Sequence, residues 1–136
     1  MLSRRAVIKG LLLTGIGSAT GTAAYGVAYA RHQIGVTLAS LPVSGLPPAL
    51  EGLRIGLLTD VHHSAMVPAS DVARAAELVM AQRPDIVVLG GDYVSFGDRA
   101  YVQPVAEMLA QLHAPHGVFA ILGNHDDGRA VTEALT

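Results

Sequence analysis

The sequence contains no cysteine and few aromatic residues, and its first 50 residues carry no acidic side chain. Without cysteine, soft thiolate metal sites are excluded, and the absence is compatible with an oxidising compartment. From Glu51 onward there are five basic and eleven acidic residues, a formal charge of −6. Without a basic patch or a strip of stacking aromatic residues, nucleic acid is not an expected partner.

The N-terminal segment, residues 1–30, differs in chemistry from the rest of the chain. Residues 3–9 (SRRAVIK) resemble the twin-arginine export signal S-R-R-x-F-L-K, and residues 10–30 carry no charge and end in the A-x-A sequence Ala28-Tyr29-Ala30. The alternative is an uncleaved membrane anchor, because 21 uncharged residues can just span a bilayer. We expect export by the twin-arginine machinery to a periplasmic or membrane-anchored location, with cleavage left open.

The remaining chain predicts a linker followed by an α/β domain. Residues 31–52 are proline-rich and indicate a linker or an edge strand. Beyond them, apolar runs at 53–59, 85–89 and 118–122 end in polar residues or glycine, as buried parallel strands do. Parallel strands connected in this way have their C-terminal ends at one edge of the sheet, where ligand sites of α/β folds lie.

Between these runs, apolar residues recur with the periodicity of an α-helix, which predicts one helix in each of the two intervals. The recurring positions are Val72, Ala75, Ala76, Val79 and Met80, then Val102, Val105, Met108, Leu109 and Leu112. Ser70 or Asp71 is the expected N-cap of the first helix, and Arg83-Pro84 its end. The predicted order is therefore βαβαβ.

Three polar motifs follow the predicted strands: DVH at 60–62, GGD at 90–92 and GNHD at 123–126. Asp92 lies 32 residues after Asp60, and Asn124 lies 32 residues after Asp92. Each motif alone is more often a turn or a cap, and the glycines 90, 91 and 123 can be plain turn residues or can allow close approach to metal and phosphate. Together they predict a site for divalent metal, since carboxylate, imidazole and amide oxygen would converge at one edge.

In this order and at these separations, the motifs resemble the first three blocks of the calcineurin-like metallophosphoesterase family. The local sequences around the motifs are LTDVHHS, RPDIVVLGGDYV and ILGNHDD. They resemble the membrane-associated or exported bacterial branch of YaeI- or YkuE-like phosphodiesterases. The resemblance covers residues 53–127 and implies a four-layer α/β/β/α sandwich. Residues 53–136 would be its N-terminal half, truncated before the family's later histidines, with one apolar sheet face uncovered.

The resemblance also implies a dinuclear centre of Mn, Fe or Zn. Asp60 and His62 would ligate the first ion, Asp92 would bridge both ions, and Asn124 would ligate the second. A bridging carboxylate is needed because two adjacent cations repel each other.

The catalytic roles fall, by the same resemblance, on the GNHD motif. His125 would contact phosphate beside Asn124 and act as general acid, and Asp126 would fix the tautomer of His125 by accepting a ring N–H. The neighbouring His63 and Tyr93 are expected to pack or to face solvent, with contact to substrate as the alternative. The remaining histidines are expected to lie at the surface or in loops: His32, His113 and His116.

The implied function is hydrolysis of a phosphodiester or pyrophosphate by a metal-activated hydroxide. Candidate substrates are phosphoester-containing small molecules or lipid headgroups, with lipid precursors such as UDP-2,3-diacylglucosamine among them. The alternative, of another class, is a non-catalytic membrane-tethered module that binds metal or phosphate. Because the printed chain carries only part of the implied ligand set, we expect it to be inactive alone.

Overall fold

The computed structural model describes residues 17–22, 25–26 and 32–136. The chain divides into two compact units, residues 1–34 and 35–136, and in the first unit residues 17–22 and 25–26 are helical. The twin-arginine motif and the A-x-A sequence lie outside the described residues, so the signal stays a prediction. Among the residues that are described, no helix has the length and apolar character needed to cross a bilayer.

The second unit alternates strands with helices, as the apolar periodicity predicts. Residues 32–52 form no strand and include the 3₁₀ turn Pro48–Leu50. The elements, in chain order, are the 3₁₀ turn Pro48–Leu50, β1 Ile55–Leu58, α1 Ala69–Ala81, β2 Ile86–Leu89, the 3₁₀ turn Arg99–Tyr101, α2 Val102–Leu109, β3 Val118–Ala120 and α3 Gly128–Leu135.

The three strands form one parallel sheet in the order β1-β2-β3. Ile55 pairs with Ile86, and Val87 pairs with Val118. The three strand C-termini therefore share one edge, which confirms the predicted arrangement of the motifs. Each strand is shorter than its apolar run, and left-handed backbone at Asp60 and Gly91 follows the ends of β1 and β2.

The helices bury one face of this sheet. The core cluster joins side chains of the helices and of the central strand: Val72 and Ala76 of α1, Val87 and Leu89 of β2, Val105 and Leu109 of α2, and Val131 of α3. On the other face Ile55, Leu57 and Phe119 are 60%, 62% and 56% exposed. The sheet is thus apolar on both faces, and the predicted uncovered face is observed.

The predicted start of α1 is wrong, whereas its predicted end is close. Pro68 is the N-cap, and its carbonyl oxygen accepts the N–H of Asp71, so that Ser70 and Asp71 lie inside the first turn. Proline suits this position because its fixed φ precedes the helix without strain. The helix ends at Ala81 with Gln82 as its C-cap, and Arg83 follows with left-handed backbone at φ +52°.

Helix α2 is shorter than predicted. It ends at Leu109, and Leu112 lies in the following turn, where it is still buried and donates its N–H to the Leu109 carbonyl. Leu112 therefore matches the apolar periodicity of α2 although it lies beyond the end of the helix.

Candidate metal centre

Two of the three sequence motifs place metal-binding side chains together at the C-terminal edge of the sheet. One ligand atom each from Asp60, His62 and Asp92 lies within 4.8 Å of the others. His62 Nε2 is 3.9 Å from Asp60 Oδ1 and 3.8 Å from Asp92 Oδ2. Asp92 is nearly buried, whereas Asp60 is exposed. We call these three residues the acidic–histidine cluster.

All three residues of the acidic–histidine cluster have left-handed backbone. The φ values are +54° for Asp60, +49° for His62 and +54° for Asp92. Each such residue costs about 1–2 kcal/mol relative to right-handed backbone. The conformation is held by hydrogen bonds between the two loops, in which Asp60 N–H donates to the Gly91 carbonyl at 3.1 Å and His62 N–H to that of Asp92 at 2.9 Å. Strain concentrated in this way is typical of functional sites.

The GNHD loop approaches the same cluster through His125. Its backbone N–H donates to Asp92 Oδ1 at 2.8 Å. Its ring centroid lies 5.1 Å from that of His62, edge to face, so the imidazole adjoins the cluster. Asn124 is exposed in the same loop, and its role as a ligand stays a prediction.

Asp126 makes contacts other than the predicted one. Its Oδ2 accepts the backbone N–H of Asp92 at 2.9 Å and of Gly123 at 2.8 Å, and its Oδ1 accepts that of Tyr93 at 2.8 Å. The ring of His125 instead accepts a hydrogen bond at Nδ1 from the Phe96 N–H, at 3.4 Å. The Asp126 carboxylate therefore stabilises the loops of the site by accepting three of their backbone N–H groups. A carboxylate suits this role because its two oxygens can accept several hydrogen bonds.

Two glycines are required where the loops meet. Gly91 has φ +87°, and a Cβ there would overlap the backbone of Gly123. A Cβ on Gly123 would in turn overlap the backbone and carboxylate of Asp92. Close approach of the two loops, in addition to turn geometry, explains these glycines.

The residues beside the motifs pack, as expected. His63 is buried, with Nδ1 2.8 Å from the Val67 carbonyl oxygen. Tyr93 is buried and donates its hydroxyl to the Ile121 carbonyl at 2.9 Å. Burial, and secondly the charge of Asp126, raise the pKa of Tyr93 to about 12. His113 and His116 are exposed.

Sequence reasoning missed the turn formed by residues 95–98. Ser95 Oγ donates to the His62 carbonyl at 3.3 Å, and Phe96 contacts His125. The available signal was the Phe96-Gly97 pair, which follows the GGD motif after Tyr93, Val94 and Ser95. Phe96 fits neither the helical nor the strand periodicity of the buried apolar residues.

The acidic–histidine cluster fits a divalent cation. Two carboxylates and one imidazole are ligands that Mn, Fe and Zn accept. Asp60 and Asp92 lie close enough for their carboxylates to repel each other, and a cation between them would offset this repulsion.

Residues 53–134 match the family described as calcineurin-like phosphoesterase. The uncharacterized metallophosphoesterase YkuE of Bacillus subtilis (strain 168) is 31% identical over 132 residues, covering 93% of this chain and 46% of that protein. Phosphodiesterase YaeI of Escherichia coli (strain K12) is 38% identical over 73 residues, covering 54% and 27%. UDP-2,3-diacylglucosamine pyrophosphatase LpxG of Chlamydia trachomatis serovar D is 36% identical over 77 residues, covering 57% and 23%.

The chain spans less than half the length of each of these relatives. The matches confirm the resemblance drawn from the three motifs. This chain belongs to the calcineurin-like phosphoesterase family.

Proposed function

We propose that the protein is a metal-dependent phosphoesterase that hydrolyses phosphodiester or pyrophosphate bonds. The observation that carries the proposal is the acidic–histidine cluster, in which Asp60, His62 and Asp92 converge with left-handed backbone at the edge of a parallel sheet. Membership of the family supports the same chemistry. The role of each residue is inferred from its position.

We infer two divalent cations, Mn, Fe or Zn. Asp60 and His62 would hold one, Asp92 would reach both, and Asn124 would hold the second. The nearly buried Asp92 suits the shared position, because its Oδ2 faces His62 while its Oδ1 lies toward the GNHD loop. When bound, such ions polarise phosphoryl oxygens and lower the pKa of water.

His125 is the proposed general acid. Since its Nδ1 accepts the Phe96 N–H, the proton of the neutral ring resides on Nε2. The side chain is partly exposed beside the cluster, so that the Nε2–H can donate a hydrogen bond to a phosphoryl oxygen. Proton transfer to the leaving oxygen requires the imidazolium form of His125, because a neutral ring would become an imidazolate, and protonation at Nδ1 would break the hydrogen bond from Phe96. Asp126 acts on this step only through the loop that it supports.

The proposed substrates are phosphoester small molecules and lipid headgroups. The relative named UDP-2,3-diacylglucosamine pyrophosphatase makes UDP-2,3-diacylglucosamine the first natural compound to assay. We further propose that the N-terminal segment directs the protein through the twin-arginine route and associates it with the membrane.

The test uses the protein expressed from its full gene, stripped of metal and then supplied with Mn, Fe or Zn. We expect hydrolysis of bis-p-nitrophenyl phosphate that depends on added metal and is lost in Asp60→Asn. Glu107→Gln, which removes an equal charge from the exposed side of α2, is the matched control and should keep full activity. Metal binding without turnover of any phosphoester would overturn the proposal in favour of a non-catalytic binding module.

A further inference from the structure

Phe96 is an exposed aromatic residue beside the proposed active site. Its side chain is 91% exposed, and its backbone is left-handed at φ +54°. Both features carry a cost, because the phenyl ring gains nothing from burial and left-handed backbone costs about 1–2 kcal/mol. A residue held in this way is a candidate for function rather than for folding.

The turn that carries Phe96 is fixed to both loops of the site. Ser95 Oγ donates to the His62 carbonyl at 3.3 Å, and the Asp98 N–H donates to the Ser95 carbonyl at 3.1 Å. The Phe96 N–H itself donates to Nδ1 of His125 at 3.4 Å. The backbone of Phe96 is therefore held beside His62 and His125 by these hydrogen bonds.

The His125 ring contacts both the His62 ring and the Phe96 ring. The centroid of the His125 ring is 5.1 Å from that of His62 and 5.5 Å from that of Phe96, with both contacts edge to face. His125 thus contacts both a member of the cluster and the phenyl ring of Phe96. A phosphoester bound at the cluster and His125 would bring its organic group to Phe96.

We propose that Phe96 is a specificity residue that binds an aromatic group of the substrate, so that the preferred substrates are phosphoesters carrying an aromatic ester group. The inference rests on the proposed function, because it places the phosphate at the acidic–histidine cluster. Two aromatic rings gain more from contact than an aromatic ring and a methyl group, since ring quadrupoles add to apolar burial.

The test compares binding of phenylphosphonate and methylphosphonate, which are not hydrolysed, to the protein expressed from its full gene. Isothermal titration calorimetry should show a preference for phenylphosphonate of about three- to tenfold. Phe96→Asn should remove the preference while leaving methylphosphonate binding unchanged, and asparagine tolerates the left-handed backbone. Phe96→Tyr should retain the preference.

Leu41→Asn is the matched control, since Leu41 is 82% exposed and lies in the extended segment before β1. It should leave both affinities unchanged, and thermal unfolding checks that every variant is folded. A preference that is absent, or that survives in Phe96→Asn while bis-p-nitrophenyl phosphate is still hydrolysed, would overturn this inference alone. Failure both to hydrolyse that ester and to bind either phosphonate would overturn the proposed function and this inference together.

Discussion

Asp92 and Asp126 each accept a backbone hydrogen bond from the loop that carries the other. Asp126 Oδ2 accepts the Asp92 N–H at 2.9 Å, and Asp92 Oδ1 accepts the His125 N–H at 2.8 Å. The reciprocal pair ties the GGD and GNHD loops into one unit. A substitution of Asp126 should therefore alter the position of Asp92 in the acidic–histidine cluster.

Asp126→Asn should weaken both folding and metal binding. The amide offers one acceptor oxygen in place of two and turns an N–H₂ toward a backbone donor, so at least one buried N–H loses its partner. We expect the free energy of unfolding to fall by about 2 kcal/mol. Urea denaturation measures this change, and an unaltered midpoint would show that the carboxylate is not a support.

Asp92→Asn and His125→Ala should separate metal binding from turnover. Asp92→Asn removes charge from the centre of the cluster and should reduce both bound metal and activity. His125→Ala should keep most of the metal but lower kcat by about 10²–10⁴-fold, as loss of a general acid does. Metal analysis and phosphodiester assays on the same preparations decide the matter. Equal loss of metal in the two variants would make His125 structural.

Gly91→Ala should be far more damaging than Gly52→Ala. Both glycines have positive φ, +87° and +78°, but a Cβ on Gly52 meets nothing within 4 Å whereas one on Gly91 overlaps Gly123. Gly52→Ala should cost about 1 kcal/mol from backbone strain, and Gly91→Ala about 3 kcal/mol or more because the loops must also separate. Chemical denaturation compares them. Equal costs would mean that the loops separate freely.

Tyr93 should make stability depend on pH in the alkaline range. The pKa of its hydroxyl is raised to about 12 in the folded protein, against 10.0 for an unperturbed tyrosine. Above the lower value the unfolded chain loses a proton that the folded chain retains, so the free energy of unfolding falls as pH rises through this window. Below the window the stabilisation is complete. Tyr93→Phe should flatten this part of the urea-midpoint profile, and an unchanged slope would contradict the assignment.

Replacing Arg4 and Arg5 by lysine should abolish export while preserving charge, because a receptor reads the arginine pair itself. Cell fractionation measures the effect. Replacement of Arg31 by lysine, outside the motif, is the control and should leave export unchanged. A Lys-Lys variant found outside the cytoplasm at the original level would exclude the twin-arginine route.

The sequence predicted the sheet and the convergence of Asp60, His62 and Asp92, because apolar runs and their polar ends report directly on buried parallel strands. It did not predict the partners of Asp126. Motif spacing places a carboxylate near a histidine, but the choice between ring and backbone donors depends on how closely two loops approach.

The start of α1 and the contacts of Phe96 were not predicted, for related reasons. Ser70 and Asp71 are common N-caps, yet Pro68 supplied the first acceptor two residues earlier. Phe96 belongs to no periodic pattern, because its position is set by hydrogen bonds to other loops. Local residue propensity reports neither which residue becomes the N-cap nor which loops are joined by hydrogen bonds.

The sheet order β1-β2-β3 has a consequence for how the chain folds during synthesis. Every strand joins its predecessor after one intervening helix, so each pairing closes a loop of similar and moderate length, as from Ile55 to Ile86 and from Val87 to Val118. Such a topology can grow outward from the ribosome one unit at a time, with each finished strand serving as the template for the next. Asp60, His62 and Asp92 need only β1 and β2 to come together, whereas the hydrogen bonds between the GGD and GNHD loops form only once β3 has joined the sheet.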